Sequence, residues 1–147
     1  MKPNTNLIVI DSNFILLPFQ FKIDYLNEIR NNLEGNLKFV IFQQILNELE
    51  AKKKRESKST KFIRLLNSGL LYLENNKNKY NFDFVNDIKQ EEETTDDYLI
   101  RKITQLKDRY QTVFLATNDS ELRRKARLSS INTIFLRQKK YLSIERV

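Results

Sequence analysis

Four acidic residues stand where a folded chain could use them together: Asp11, Glu48, Asp96 and Asp119. Asp11 interrupts the apolar stretch LIVIDSNFILLPF (7–19), which puts a carboxylate at the edge of what reads as core. Asp119 follows the apolar run of TVFLATNDSEL in the same way. In QQILNELEAK, Glu48 shares a helical face with Ile45, Leu49 and Lys52, whereas Glu50 falls on the more polar face of Lys53 and Lys54. In TTDDYLIRKI, Asp96 aligns with Leu99, Ile100 and Ile103, and Asp97 stands beside it as a supporting acid. Singly, each has a simpler reading. Asp11 or Asp119 could cap the next helix, Asp96 could be a first-turn acid favoured by the helix dipole, and Glu48 could be a helix-surface acid. Together they point to a metal. Clustered carboxylates raise one another's pKa unless a cation holds them, so a pocket of four reads as a divalent-metal site. Asn13, Thr117 and Asn118 add neutral oxygens and donors close by.

What the chain lacks narrows the chemistry. Its 147 residues include no His and no Cys. This excludes disulfides, Cys/His zinc sites, thiol nucleophiles, Ser-His-Asp triads and any histidine general base. Acid-base and metal chemistry would fall to Asp, Glu, Lys and Tyr, and a metal held by oxygen alone is a hard one, Mg²⁺ or Mn²⁺. With two glycines there is no G-x-G-x-x-G loop and no P-loop. MKPNTN lacks the basic and apolar segments of a secretory leader, and no stretch approaches the roughly 20 apolar residues of a membrane span. A cytoplasmic protein without membrane contact is the expectation.

The elements that must position the acids follow from periodicity. Residues 7–10, 37–42, 82–85, 112–116 and 132–136 read as strands, and 23–33, 43–55, 61–74, 96–109 and 119–128 as helices. Gly35 is a stop signal after the first helix. Strands alternating with helices predict α/β architecture: a three-layer α/β/α sandwich with a short, mainly parallel sheet. The length suits one domain over 1–147, with 137–147 as a basic C-terminal tail. Open parallel sheets bind ligands outside the carboxyl ends of their strands, and Asp11 and Asp119 both fall on that edge.

The net charge of +7 is unevenly spread. Residues 51–80 carry nine cations against two anions, 81–100 one against seven, and 101–147 twelve against four. Basic blocks around an acidic focus suit a polyanion partner. Lys52, Lys53, Lys54, Arg55 and Lys58, with Lys61 and Arg64 beyond, follow Glu48; Arg123, Arg124, Lys125 and Arg127 follow Asp119. Arg137, Lys139 and Lys140 could extend the track. Phe19, Phe21 and Tyr25 flank the first motif and are candidates for base stacking or a protein interface, whereas Phe62 and Phe114 read as core.

These motifs resemble the PIN domain. LIVIDSNFILLPFQFKIDYLNEI, ILNELEAK, TDDYLI and FLATNDSELRRKARLSSINTIFLRQKKYL look like its successive segments, closest to the archaeal branch of VapC-type toxin nucleases and similar to the rRNA-processing PIN nucleases of eukaryotes. By this resemblance Asp11, Glu48, Asp96 and Asp119 match the four family carboxylates, and Asn13 and Thr117 the polar residues beside them. It implies an Mg²⁺- or Mn²⁺-dependent endoribonuclease, a hydrolase acting on single-stranded or structured RNA and leaving a 5′-phosphate. It also implies an antitoxin or a ribosome-assembly protein as partner, and a homodimer. The chain departs from the pattern at Phe42-Gln43-Gln44, where relatives often carry proline, and at Glu91-Glu92-Glu93-Thr94-Thr95, where they often carry glycine. Extra acids there would repel RNA or shift the metal site. Two other readings compete: a non-catalytic RNA-binding or ribosome-assembly factor on the same fold, and a small-molecule phosphohydrolase or receiver domain. The second Asp of a phosphohydrolase motif is missing from D-S-N, and the positive charge suits neither of the last two.

Overall fold

Six strands form one sheet: β1 (Thr5–Ile10), β2 (Asn36–Phe42), β3 (Phe82–Val85), β4 (Thr112–Ala116), β5 (Asn132–Arg137) and β6 (Tyr141–Glu145). In the computed structural model, which describes residues 4–147, their spatial order is β3-β2-β1-β4-β5-β6. The first three residues of the N-terminal stretch expected to lack a leader lie outside the described residues. The first five strands run parallel and β6 is antiparallel to β5. The helices are α1 (Ser12–Ile15), α2 (Leu17–Gln20), α3 (Tyr25–Asn32), α4 (Gln43–Arg55), α5 (Thr60–Asn76), α6 (Thr95–Lys107) and α7 (Ser120–Leu128). This is the expected three-layer α/β/α sandwich. No helix among the described residues is long and apolar enough to cross a membrane.

Strand burial explains the layers. Leu7 to Ile10 and Val113 to Ala116 are almost wholly buried, as strands covered by helices on both faces must be. The chain builds outward from β1 through β2 to β3, then returns to lay β4 on the other side of β1. The β1–β4 boundary is therefore a topological switch point. The connections that leave the two strands diverge there, the position at which open parallel sheets generally bind their ligands.

Local chemistry sets the element ends. Thr94 caps α6 by accepting from the Asp97 amide at 3.1 Å, and Ser59 caps α5 by accepting from the Phe62 amide at 3.3 Å. Both helices consequently start earlier than their apolar periodicity suggests. The segment after Asp11 is not simply buried chain but two four-residue helices, α1 and α2, with Pro18 near the start of the second.

The expected basic tail at 137–147 is corrected: Tyr141–Glu145 is an edge strand. Its turn closes through the Lys140 amide on the Arg137 carbonyl at 3.1 Å. Leu142 and Ile144 pack on the core, while the Leu142 amide donates to Glu28 Oε1 of α3 at 2.7 Å. Three cations at the turn mask two apolar residues that alternate with polar ones, the period of a half-buried strand. Tyr25 is also corrected. It is fully buried, with its ring 5.6 Å from Phe14 and 5.0 Å from Tyr72, and is a core residue rather than a stacking platform.

Gly69 fixes the distance between α5 and α1. A Cβ built there would overlap the carbonyl oxygen of Ile15, whereas one on Gly35, at φ 86°, would meet open space. Gly69→Ala should therefore cost about 1–3 kcal/mol through overpacking. Gly35→Ala should cost only the left-handed backbone penalty of about 1–2 kcal/mol. Urea midpoints compare them, and the Gly69 variant should also perturb the Asp11 environment, since α1 follows directly on that residue.

Candidate active site at the carboxyl edge of the sheet

The Asp11 amide continues the ladder, donating to the Ala116 carbonyl at 3.0 Å, so the carboxylate leaves the sheet where β1 and β4 end side by side. Asp11 Oδ1 accepts from the Ser12 amide at 2.8 Å. Oδ2 accepts from the Thr117 hydroxyl at 2.7 Å and from Asn13 Nδ2 at 3.1 Å. Thr117 Oγ1 in turn accepts from the Asp119 amide at 3.1 Å and from Asn13 Nδ2 at 3.3 Å. Asn13 Oδ1 accepts from the Asn118 amide at 2.9 Å, and Asn118 Oδ1 from the Leu136 amide at 2.7 Å. The side chains of Asp11, Asn13, Thr117 and Asn118 thus tie the ends of β1, β4 and β5 into one network. The three neutral residues expected as supporters act as its links.

The other acids reach this edge on helices. Asp119 caps α7, its Oδ1 accepting from the amides of Glu121 at 2.9 Å and Leu122 at 3.2 Å. Glu48, half-buried on α4, accepts a hydrogen bond from the Thr95 hydroxyl, which ties α4 to the start of α6. Asp96 follows Thr95 and is half-buried, whereas Asp97 is exposed. Lys125 Nζ lies 3.9 Å from Asp96 Oδ2 and 4.0 Å from Asp97 Oδ1.

The electrostatics record how close the acids are. Burial pushes the Asp11 carboxyl up from 3.8 to about 6; hydrogen bonds from Thr117 and Ser12 oppose this, and the charges of Asp96 and Asp119 add to it. Asp96 is raised as well, first by burial and then by Asp119, with Asp97 and Glu48 adding and Lys125 opposing. Among the described residues no group of three or more acids is placed closely enough to hold an ion as it stands. The donor set nonetheless fits a hard divalent cation: it is all oxygen, and Asp11 and Asp96 are raised partly by the neighbouring acids, with no arginine among the groups acting on them.

The surroundings sort the expected basic residues. On α4, Lys52 lies 3.9 Å from Glu56 and 4.8 Å over the Phe62 ring, Lys53 is half-buried, and Lys54 and Arg55 are exposed, as is Lys58 in the turn that follows. Lys52 and Arg55 join Ser12 and Glu48 around a depression of about 240 Å³. On α7 the cations are largely engaged by the protein. Arg123 stacks 3.9 Å over Phe135, Arg124 pairs with Glu121 at 2.7 Å, and Arg127 reaches Glu145 at 3.4 Å. The Glu91–Glu93 departure resolves in part: Glu93 forms a two-pronged pair with Arg101 at 2.7 and 2.8 Å, which holds its carboxyl down at about 2. That acid braces α6. Sequence reasoning missed Thr95 and the place of Lys125 beside the acids; T-T-D-D held the only hint of the first, and nothing local signals the second.

A strand-end acid network at the switch point of a parallel sheet marks an α/β protein with a candidate ligand site at this edge. The family profile of the PIN domain matches residues 8–137, and the chain belongs to that family. It is 31% identical over 137 residues to Ribonuclease VapC4 of Methanocaldococcus jannaschii, covering 93% of this chain and 95% of that protein. Its fold is similar to the PIN domain endonuclease Utp24, with a TM-score of 0.67 at 21% identity over 96% of this chain and 92% of the other. It is also similar to the T5 D15 protein co-crystallized with metal ions, with a TM-score of 0.51 at 11% identity over 96% of this chain and 57% of that one.

The buried Asp11 predicts a pH signature. Its proton is bound more tightly in the folded state, so its contribution to stability is complete below pH 3.8 and is lost as pH rises through about 6. At 1.36 kcal/mol per pKa unit the loss is about 2–3 kcal/mol. Chemical denaturation in chelator at pH 4 and pH 7 should show that part of the fall in wild type and not in Asp11→Asn. The variant also gives up about 1 kcal/mol in one hydrogen bond, because the amide cannot accept from every present donor.

Proposed function

We propose that this protein is a divalent-metal-dependent endoribonuclease that hydrolyses RNA phosphodiester bonds at the β1–β4 edge. The observation that carries the reading is Asp11, a carboxylate buried at a strand end and held by three donors while Asp96 and Asp119 press on it electrostatically. A fold does not spend a buried charge here for packing, and the like-charged neighbours make sense around a cation. Membership of the PIN family and the relationship to a ribonuclease support nuclease activity, and the metal ions with the D15 protein support the cofactor.

In this reading Asp11, Asp96 and Asp119 hold Mg²⁺ or Mn²⁺. When bound, such an ion supplies an activated water and neutralises charge on the scissile phosphate, the work a histidine would otherwise share. Glu48, oriented by the Thr95 hydroxyl, positions the attacking water and takes up its proton. Thr117 and Asn13 keep the Asp11 oxygens from rotating, and Lys125 offsets the charge of Asp96 before substrate arrives. Arg55, Lys54 and Lys58 take flanking phosphates, which makes affinity steeply salt-dependent. Toxin-type cleavage and RNA processing would use the same groups, and an antitoxin or ribosome-assembly partner would meet the protein at this edge.

Cleavage of end-labelled single-stranded RNA with Mn²⁺, with Mg²⁺ and with chelator tests this reading. Wild type should cut only with metal. Asp96→Asn should lower the rate by about 10²–10⁴-fold, the range for a positioned proton-transfer or charge-stabilising group. Addition of Mg²⁺ should raise the melting midpoint of wild type and leave that of Asp96→Asn nearly unmoved. Binding without cutting across several RNAs, unchanged in the variant, would establish the scaffold reading instead.

A further inference from the structure

The depression beside Glu48 does not end at Arg55. It shares Lys52 with a second of about 210 Å³, bounded by Leu16, Gln20, Ser59 and Lys61. That one shares Gln20 and Lys61 with a third of about 660 Å³, walled by Phe19, Phe21, Arg64 and Lys139. The three adjoin through these shared residues as a furrow from Glu48 across α4 and the start of α5 to the β5–β6 turn. Its two ends differ in chemistry: the Glu48 carboxylate lies at one, an aromatic ring among cations at the other.

Three features of the far end have no structural use within the fold. Phe19, at the end of α2, leaves 51% of its surface in solvent, while Phe21 behind it packs against the core. Among the described residues, Lys61, Arg64 and Lys139 have no carboxylate within ion-pairing distance. Lys61 and Arg64 sit in the opening turns of α5, where the helix dipole disfavours cations. Lys139 is carried on a strained turn. Gln138 and Lys139 have φ values of 54° and 56°, the pattern of a type I′ turn, which prefers Asn-Gly because side chains resist that region. Strain of this kind persists where a side chain is needed.

We infer that this end of the furrow is a nucleotide subsite for single-stranded RNA: the Phe19 ring stacks on one unpaired base while Lys61, Arg64 and Lys139 take the neighbouring phosphates. The volume falls in the roughly 300–1,000 Å³ range of ligand sites, and aromatic stacking with a cationic groove is the general means of holding an unpaired strand. A duplex cannot present its base to the ring, so the subsite selects single strands or splayed loops. The subsite rests on the proposed nuclease reading, since the furrow it terminates leads to the acids, and it would hold the strand several nucleotides from the scissile bond.

Fluorescence anisotropy in chelator, with unstructured labelled RNAs from about 2 to about 12 nucleotides, measures the subsite without cleavage. Wild-type affinity should step up once the RNA is long enough to reach Phe19. Phe19→Ala should lose about tenfold beyond that length and nothing below it, as expected for one stacked base. Phe19→Tyr should retain the step. Lys139→Gly should weaken long RNAs and lower the salt slope by about one, yet raise the melting midpoint by relieving the turn. A merely structural lysine would not give those opposite signs. Affinity unchanged at every length in both Phe19→Ala and Lys139→Gly overturns the subsite, as does duplex RNA competing as well as single strands. If wild type shows the length step but cuts no RNA, the nuclease reading fails and the subsite stands. If it cuts with metal while both variants bind as wild type, the nuclease stands and the subsite falls.

Discussion

The Thr117 hydroxyl closes the site. It donates to Asp11 Oδ2 at 2.7 Å and accepts from the Asp119 amide at 3.1 Å, and it is wholly buried where β1 and β4 end. These strands are neighbours in space but a hundred residues apart in sequence, and only their parallel pairing brings the two acids together. A hydroxyl is the smallest group that can donate in one direction and accept in another, so one atom sets both the orientation of the first carboxylate and the start of the last acid's loop. Asn13 and Asn118 repeat the device one step outward, from β1 to β4 and from β4 to β5. A rigid strand edge built this way holds side chains more tightly than a free loop can.

Without histidine, the chemistry depends on how carboxylates are crowded. Burial raises the Asp11 carboxyl and the like charges of Asp96 and Asp119 add to it, while hydrogen bonds from Thr117 and Ser12 pull the other way. The helices soften this conflict. Asp119 at the cap of α7 and Asp96 in the first turn of α6 both face the positive end of a helix dipole. Asp96 and Asp119 can therefore stand near Asp11 at a tolerable cost. Lys125, from the second turn of α7, adds a positive charge beside Asp96.

Much of the fold was readable because its signals are local and repeated. The helix 43–55 and the strands 82–85 and 112–116 fall on their expected bounds, since apolar periodicity and flanking polar residues agree there. The three-layer sandwich followed from alternating elements. The missed elements have weak local signals. Helices of four residues, such as α1 and α2, are too short to show a period, and β6 hides two apolar residues behind the cations of its turn. At the site, strand ends and helix faces pointed to the four acids, but pairings across the fold are not local. Nothing in RRKAR distinguishes Arg123 lying flat on Phe135 from Lys125 reaching toward Asp96.

The plain reading of a strand-end aspartate as a helix cap and the reading of it as a ligand are not rivals here. Asp119 uses Oδ1 for the two amides that open α7, and Oδ2 has no partner among the described residues. The cap fixes the carboxylate plane, and a fixed plane aims the second oxygen. Glu48 works likewise: the hydrogen bond from Thr95 ties α4 to α6 and, by holding Oε1, orients Oε2. A group with one oxygen committed to the fold has less conformational entropy left to lose, so any ligand meeting the other oxygen would meet it at a lower cost. The same bonds that make Asp11 and Asp119 ordinary helix caps, and that tie Glu48 to Thr95, leave each carboxylate held at this edge of the sheet.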